Sequence, residues 1–150
     1  HDAFGREGVV MSSDALQSTL KIAASGLSAQ STRLRVVSEN IANAQSTAET
    51  ADADPYRRKT VSFRTELEQG TGAAEVRIAE VGKDTSPFIE QYEPSHPAAD
   101  ERGYVRYPNV NMVVEMADMR EANRSYEANL QVVKQARELI SMTIDLLRST

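Results

Sequence analysis

At 150 residues the chain has room for one ordinary domain core, and with 5% aromatics and no Trp that core must come from Leu, Val, Ile, Met and Ala. A net charge of −5 speaks against nucleic acid as the main partner, because phosphate binding needs a basic face. The absence of Cys excludes disulfides, thiol chemistry and cysteine-ligated metal sites, and it suits an oxidising compartment.

Residues 1–10 precede Met11 and carry neither the basic n-region nor the apolar core of a secretory signal. They read as a leftover of expression or an upstream extension, flexible and without function. No apolar run reaches the roughly 18 residues that span a bilayer. The first helix is expected to start at Asp14, whose capping box is completed by Gln17, with Ser13 as the alternative cap. Leu20, Leu27, Leu34 and Ile41 then recur every seven residues, and Leu16, Ala23, Gln30, Val37 and Ala44 fill the interleaved positions. Gly26 weakens this helix, and Asn43 is placed to close it in the left-handed conformation.

Residues 45–55 are small and acidic, a mobile loop. Val61, Phe63 and Leu67 alternate with polar neighbours as in a half-buried strand. A turn at Gly70-Thr71-Gly72 leads to a second strand through Val76 and Ile78. Phe88–Tyr92 and Tyr104–Tyr107 supply a third and fourth, around a loop with Pro94 and Pro97. The middle therefore holds a small β element without an enclosed pocket.

The second helix begins after Pro108, with Asn109 or Asn111 as cap. Met119, Tyr126, Val133, Ile140 and Leu147 repeat every seven residues, with Met116, Asn123, Leu130, Arg137 and Ile144 between them. Helices of this kind reach roughly 45 Å and 55 Å, and neither buries its stripe alone. The fold expected is mainly α, with long N- and C-terminal helices (11–45 and 109–150) paired as an antiparallel coiled coil and a central region (46–108) with a short β element.

Chemistry-bearing groups are sparse. His96 has only Asp100 and Glu101 nearby, short of the three or four convergent ligands a metal needs. There is no Gly-x-Ser-x-Gly and no phosphate-cradling glycine loop, so neither a catalytic site nor a cofactor is expected. Arg57-Arg58-Lys59, with Arg64, is the densest basic tract. A solvated strand end outweighs a phosphate or anionic-lipid site there.

Two stripes at the termini fit a hairpin, a dimeric coiled coil or a polymer interface. Polar residues in the seams (Gln30, Asn123 and Arg137) restrict which partners and registers are tolerated, which favours assembly. The segment Ser25-Gly26-Leu27-Ser28-Ala29-Gln30, continuing to Ser38-Glu39-Asn40-Ile41-Ala42-Asn43-Ala44, resembles the N-terminal signature of the flagellar rod and hook proteins. Asn40 and Asn43 match the Asn-x-x-Asn of that family. The tract Gly103–Asn111, then Met119 and Ala122–Asn129, is similar to the C-type proximal rod subunits. The likeness runs from Met11 to Thr150; Glu39 departs from it, since many relatives carry a small or amide residue there.

The resemblance implies a structural subunit of the basal-body rod, exported without a cleaved signal peptide by the flagellar type III apparatus and assembled in the periplasm. Its partners would be other copies of itself, further rod subunits and the export apparatus, with no small-molecule substrate and no membrane insertion. Leu16, Leu20, Leu27, Leu34, Val37, Ile41, Met119, Tyr126, Leu130, Val133, Ile140 and Leu147 would carry assembly and packing. Gln30, Asn40, Asn43, Asn123 and Arg137 would set register and partner choice. Three rivals stand beside this reading: a B-type rod subunit, a cytoplasmic coiled-coil adaptor or export chaperone, and a periplasmic enzyme acting on peptidoglycan. The strand run Val61–Leu67 speaks against the chaperone, and the lack of paired acids in a cleft against the enzyme.

Overall fold

A computed structural model describes residues 2–67, 72 and 74–149, with side chains from Asp14 onward except that of Ala79. In chain order the elements are helix α1 (Asp2–Ala42), strands β1 (Lys59–Leu67), β2 (Ala74–Lys83), β3 (Ile89–Tyr92) and β4 (Tyr104–Tyr107), and helix α2 (Met112–Arg148). Two long helices around a small β region is the class the sequence leads one to expect. Instead of beginning at Asp14, α1 already runs through it. A cap contributes only about 1 kcal/mol, and no proline interrupts the stretch before Asp14.

The α1 C-terminus is closed differently from the expectation. No described residue other than glycine has a positive φ, so Asn43 is not left-handed. Its side-chain Nδ2 instead donates to the Glu39 carbonyl at 2.8 Å, and its main-chain N–H reaches the same carbonyl at 3.0 Å. The acidic segment that follows is fastened rather than loose. Arg106 donates to the Asp54 carboxylate (3.0 Å) and to the carbonyls of Ala51 (3.3 Å) and Ala53 (2.9 Å).

The β region is two separate two-stranded sheets, β1–β2 and β3–β4. Of the expected Gly70-Thr71-Gly72 turn, Gly70 and Thr71 lie outside the described residues, while Gly72 has φ +70°. Only the first residues of β1 are half-buried. Phe63 and Leu67 are exposed, so the alternation there does not mark a buried face in this chain. In the antiparallel β3–β4 pair, Ile89 faces Tyr107 and Tyr92 faces Tyr104. Val105 and Tyr107 point inward with Ala98, and Tyr92 and Tyr104 form an edge-on pair outside, centroids 5.4 Å apart. Gly103 is required at the intervening turn. Its φ is +87°, and a Cβ would meet the Tyr92 ring at 2.8 Å.

Asn111 begins α2 as a cap. Its Oδ1 accepts the N–H of Val113 (3.0 Å) and of Val114 (3.4 Å).

Packing divides the chain into two compact units. One holds residues up to 31, Phe63–Arg77 and residues from 123; the other holds Thr32–Ser62 and Ile78–Ala122. In the first, α1 buries Ala23, Ser25, Gly26 and Ala29, and α2 buries Val133 and Ala136. Gly26 lies so close to α2 that a Cβ would come 2.7 Å from Asn129 Nδ2. Ser25 Oγ accepts the Val76 N–H at 3.1 Å and fastens β2 to α1.

Candidate assembly site

The second unit closes on a buried polar junction. Asn40, 1% exposed, sits in the last turn of α1. Its Oδ1 accepts the Lys59 N–H (2.9 Å) and the Tyr56 hydroxyl (2.7 Å). Its Nδ2 donates to the Lys59 carbonyl (2.9 Å) and to Glu115 Oε2 (3.3 Å). One amide thus takes up both main-chain groups of Lys59, as a neighbouring strand would.

Glu115 in the first turn of α2 is fully buried, and its Oε1 accepts Arg58 Nε. Arg58 also reaches the Asp84 carboxylate at 3.3 Å. Asn109 completes the set: Oδ1 accepts the Arg58 N–H (2.7 Å), and Nδ2 donates to the carbonyls of Asp84 (3.0 Å) and Ser86 (3.1 Å). A carboxylate taken out of water costs several kcal/mol unless such partners meet it. Here every described buried side-chain nitrogen and oxygen has one.

Ionisation follows the same contacts. Burial alone would lower the Arg58 pKa, but the hydrogen bond and charge of Glu115, then those of Asp84, leave it raised. Burial raises the Tyr56 pKa, and the charges of Glu39 and Glu115 add to it. The hydrogen bond from Lys59 holds the Glu39 carboxyl below the ordinary range, helped by Arg35.

The basic tract is largely spent inside the fold. Arg58 serves Glu115 and Asp84, Lys59 pairs with Glu39 at 2.8 Å, and Arg64 pairs with Glu66 at 2.7 Å. Arg57 donates to the carbonyls of Asp84 and Ser86 and lies 4.2 Å over the Phe88 ring. His96 Nδ1 accepts the Ala98 N–H at 2.9 Å, a local turn contact. Among the described residues no group of three or more His, Asp and Glu could hold a metal, and no helix is long and apolar enough to cross a membrane.

Of the expected seam residues, Val37 and Val133 are buried in the isolated chain. Leu16, Leu20, Leu27, Leu34, Ile41, Met119, Tyr126, Leu130 and Ile140 are half-buried, and Leu147 is exposed. Among the polar seam positions, Asn40 is buried, Gln30 and Asn43 are half-buried, and Asn123 and Arg137 are exposed. What the helices bury is smaller: Ala23, Gly26, Ala29 and Val36 on α1, and Ala122 and Ala136 on α2. Sequence reasoning passed over Ala122, Ala136 and Glu115 because it weights apolar bulk. A signal was present, since Glu115, Ala122, Asn129 and Ala136 are themselves seven apart.

Arg33 pairs with Asp118 and, at 3.6 Å, with Glu121, while Asn40, seven residues further along α1, meets Glu115.

Two family descriptions match the chain: "Flagella basal body rod protein" over residues 20–48 and "Flagellar basal body rod FlgEFG protein C-terminal" over residues 101–146. Among curated relatives, the flagellar basal-body rod protein FlgC of Agrobacterium fabrum is 58% identical over 137 residues, 91% of this chain and 99% of that protein. The FlgC of Borreliella burgdorferi is 38% identical over 151 residues, covering 89% of this chain and 98% of its own. That of Escherichia coli O157:H7 is 40% identical over 132 residues, 88% and 98% respectively.

Proposed function

Since the chain belongs to the FlgC family of flagellar basal-body rod proteins, we propose that it is a structural subunit of the rod whose helix surfaces are covered by neighbouring subunits. One observation carries the reading. The helices bury mainly Ala, Gly and Val, yet Met142, Ile144 and Leu146 of α2 are 60%, 46% and 68% exposed. Large apolar groups such as Met142 and Leu146 left in water while small ones pack inside mark a surface with a further partner.

Within the subunit, the proposal includes an antiparallel coiled-coil pairing of α1 and α2. It is supported in the second unit by the reversed order of the Arg33–Asp118 and Asn40–Glu115 contacts. In this reading 11–45 and 109–150 form the helical core and 46–108 an outer region. Asn40, buried in a polar network, sets register, since slipping the helices would strand Glu115. The subunit does no catalysis. It reaches the periplasmic rod through type III export without a cleaved signal peptide, joining copies of itself and other rod subunits. A head-to-tail contact that does not close under rotation builds a tube, and close-packed helices resist deformation under torque.

Met142→Asp and Leu146→Asp test this, because both side chains are exposed and the free chain should keep its melting behaviour. Cells carrying either variant should export the chain yet lose swimming and completed rods. Normal motility in both would overturn the proposal.

A further inference from the structure

Beside the junction, Asp54, Tyr56, Arg57, Lys59, Lys83 and Phe88 line a cavity of about 260 Å³. Its charges do not balance. Lys59 is neutralised by Glu39 at 2.8 Å, and Asp54 is held by Arg106 at 3.0 Å. Arg57 gives its N–H groups to two main-chain carbonyls and rests on Phe88, so no carboxylate offsets its charge among the described residues. Lys83, the last residue of β2, is exposed and meets no carboxylate there either. Asp84 N–H donates to the Arg58 carbonyl at 2.8 Å, which brings the ends of β1 and β2 together and sets Lys83 beside Lys59. Glu39 already answers Lys59, so Lys83 and Arg57 are the cations left at this cavity for an incoming carboxylate to meet.

We propose that this cavity receives an acidic side chain from a second copy of the chain. The proposal rests on the rod reading and names one contact within it, away from the apolar helix surfaces. The size of the cavity fits one side chain and its stem. The overall charge of −5 disfavours an extended polyanion such as nucleic acid or a lipid surface. A second copy carries suitable carboxylates: Glu49 and Asp52 are exposed, meet no cation among the described residues, and sit on the segment that Arg106 fastens. Arg57 is held in place before the carboxylate arrives, which lowers the ordering cost of the contact. A basic cavity on one copy and a carboxylate elsewhere on the next make a heterologous contact, the kind that propagates.

Carbodiimide treatment of purified basal bodies tests it, because the reagent condenses a lysine amine only with a carboxylate it touches. Mass spectrometry should find Lys83 joined to Glu49 or Asp52, a link absent when the dilute purified chain is treated in the same way. Lys83→Arg keeps the charge and should swim normally without the link. Lys83→Glu should melt like the parent chain yet reduce completed rods roughly tenfold or more, since like charges would now meet. An unlinked Lys83, a link to a different protein, or normal rods in Lys83→Glu would overturn the contact while leaving the rod reading intact. Absence of the chain from basal bodies would overturn both.

Discussion

Glu115 inverts the usual rule for a helix. It is wholly buried while its neighbours Val113 and Met116 are 77% and 57% exposed. Removing the carboxylate takes one of its two acidic partners from Arg58 and one acceptor from Asn40, while Asp84 still pairs with Arg58, so Glu115→Ala should destabilise the chain by about 1.5–3 kcal/mol. Glu115→Gln, which keeps an acceptor for Arg58, should lose less. Urea titrations of both variants would check this, and equal losses would contradict it, because the whole contribution would then lie in the charge and none in the retained volume and acceptor. Residue-level legibility was uneven. Asn40 could be singled out from the Asn-x-x-Asn resemblance, but its partners could not, because Lys59 and Glu115 lie 19 and 75 residues away. Met116 was expected in the seam, and the structure turns it outward because Glu115 takes the inward place.

At the scale of elements, the joints between strands and turns depend on charged carboxyls. Asp84 lies below the ordinary carboxylate range, chiefly through the hydroxyl and N–H of Ser86, with Arg58 adding. Asp100 is lowered by the N–H of Tyr104 and then of Arg102. Both, like Glu39, release their protons more readily when folded than when unfolded. Their stabilisation is therefore complete above the unfolded value near pH 4 and fades as pH drops through the lower folded values. Denaturant midpoints should be level from pH 7 to about 5 and fall below about 4, and Asp84→Asn with Asp100→Asn should flatten that fall. A profile unchanged by the double substitution would contradict the assignment. The elements themselves could largely be read from the sequence: β4 lies on the expected tract Tyr104–Tyr107, and Asn111 caps α2. The division into two sheets was not legible, because period-two patterning gives strand faces but not which strands pair.

For the molecule as a whole, two helices of 41 and 37 residues are long for a chain whose α2 is exposed throughout its last turns. Helices without a covered face are marginal in water. Purified and dilute, the chain should be monomeric by ultracentrifugation, with circular dichroism showing less helix than those lengths and gradual melting at both ends. Full helicity with a sharp transition would mean that the subunit is complete alone. Overall architecture was readable because heptad recurrence survives without tertiary context. The actual contact stripe was not. Beside a few valines it holds Ala, Gly and Asn, whose small size or polarity gives no hydropathy signal.

Gly26 fixes how near the two helices can come, since even one methyl group there collides with Asn129. In a lone molecule, a bulkier residue would cost a local shift and little more. Repeated in every member of an open helical tube, the same small increment would add up from one copy to the next and change the pitch at which they stack. Hydrogen at this position would thus act as a gauge, and its tolerance would narrow with each unit added to the tube.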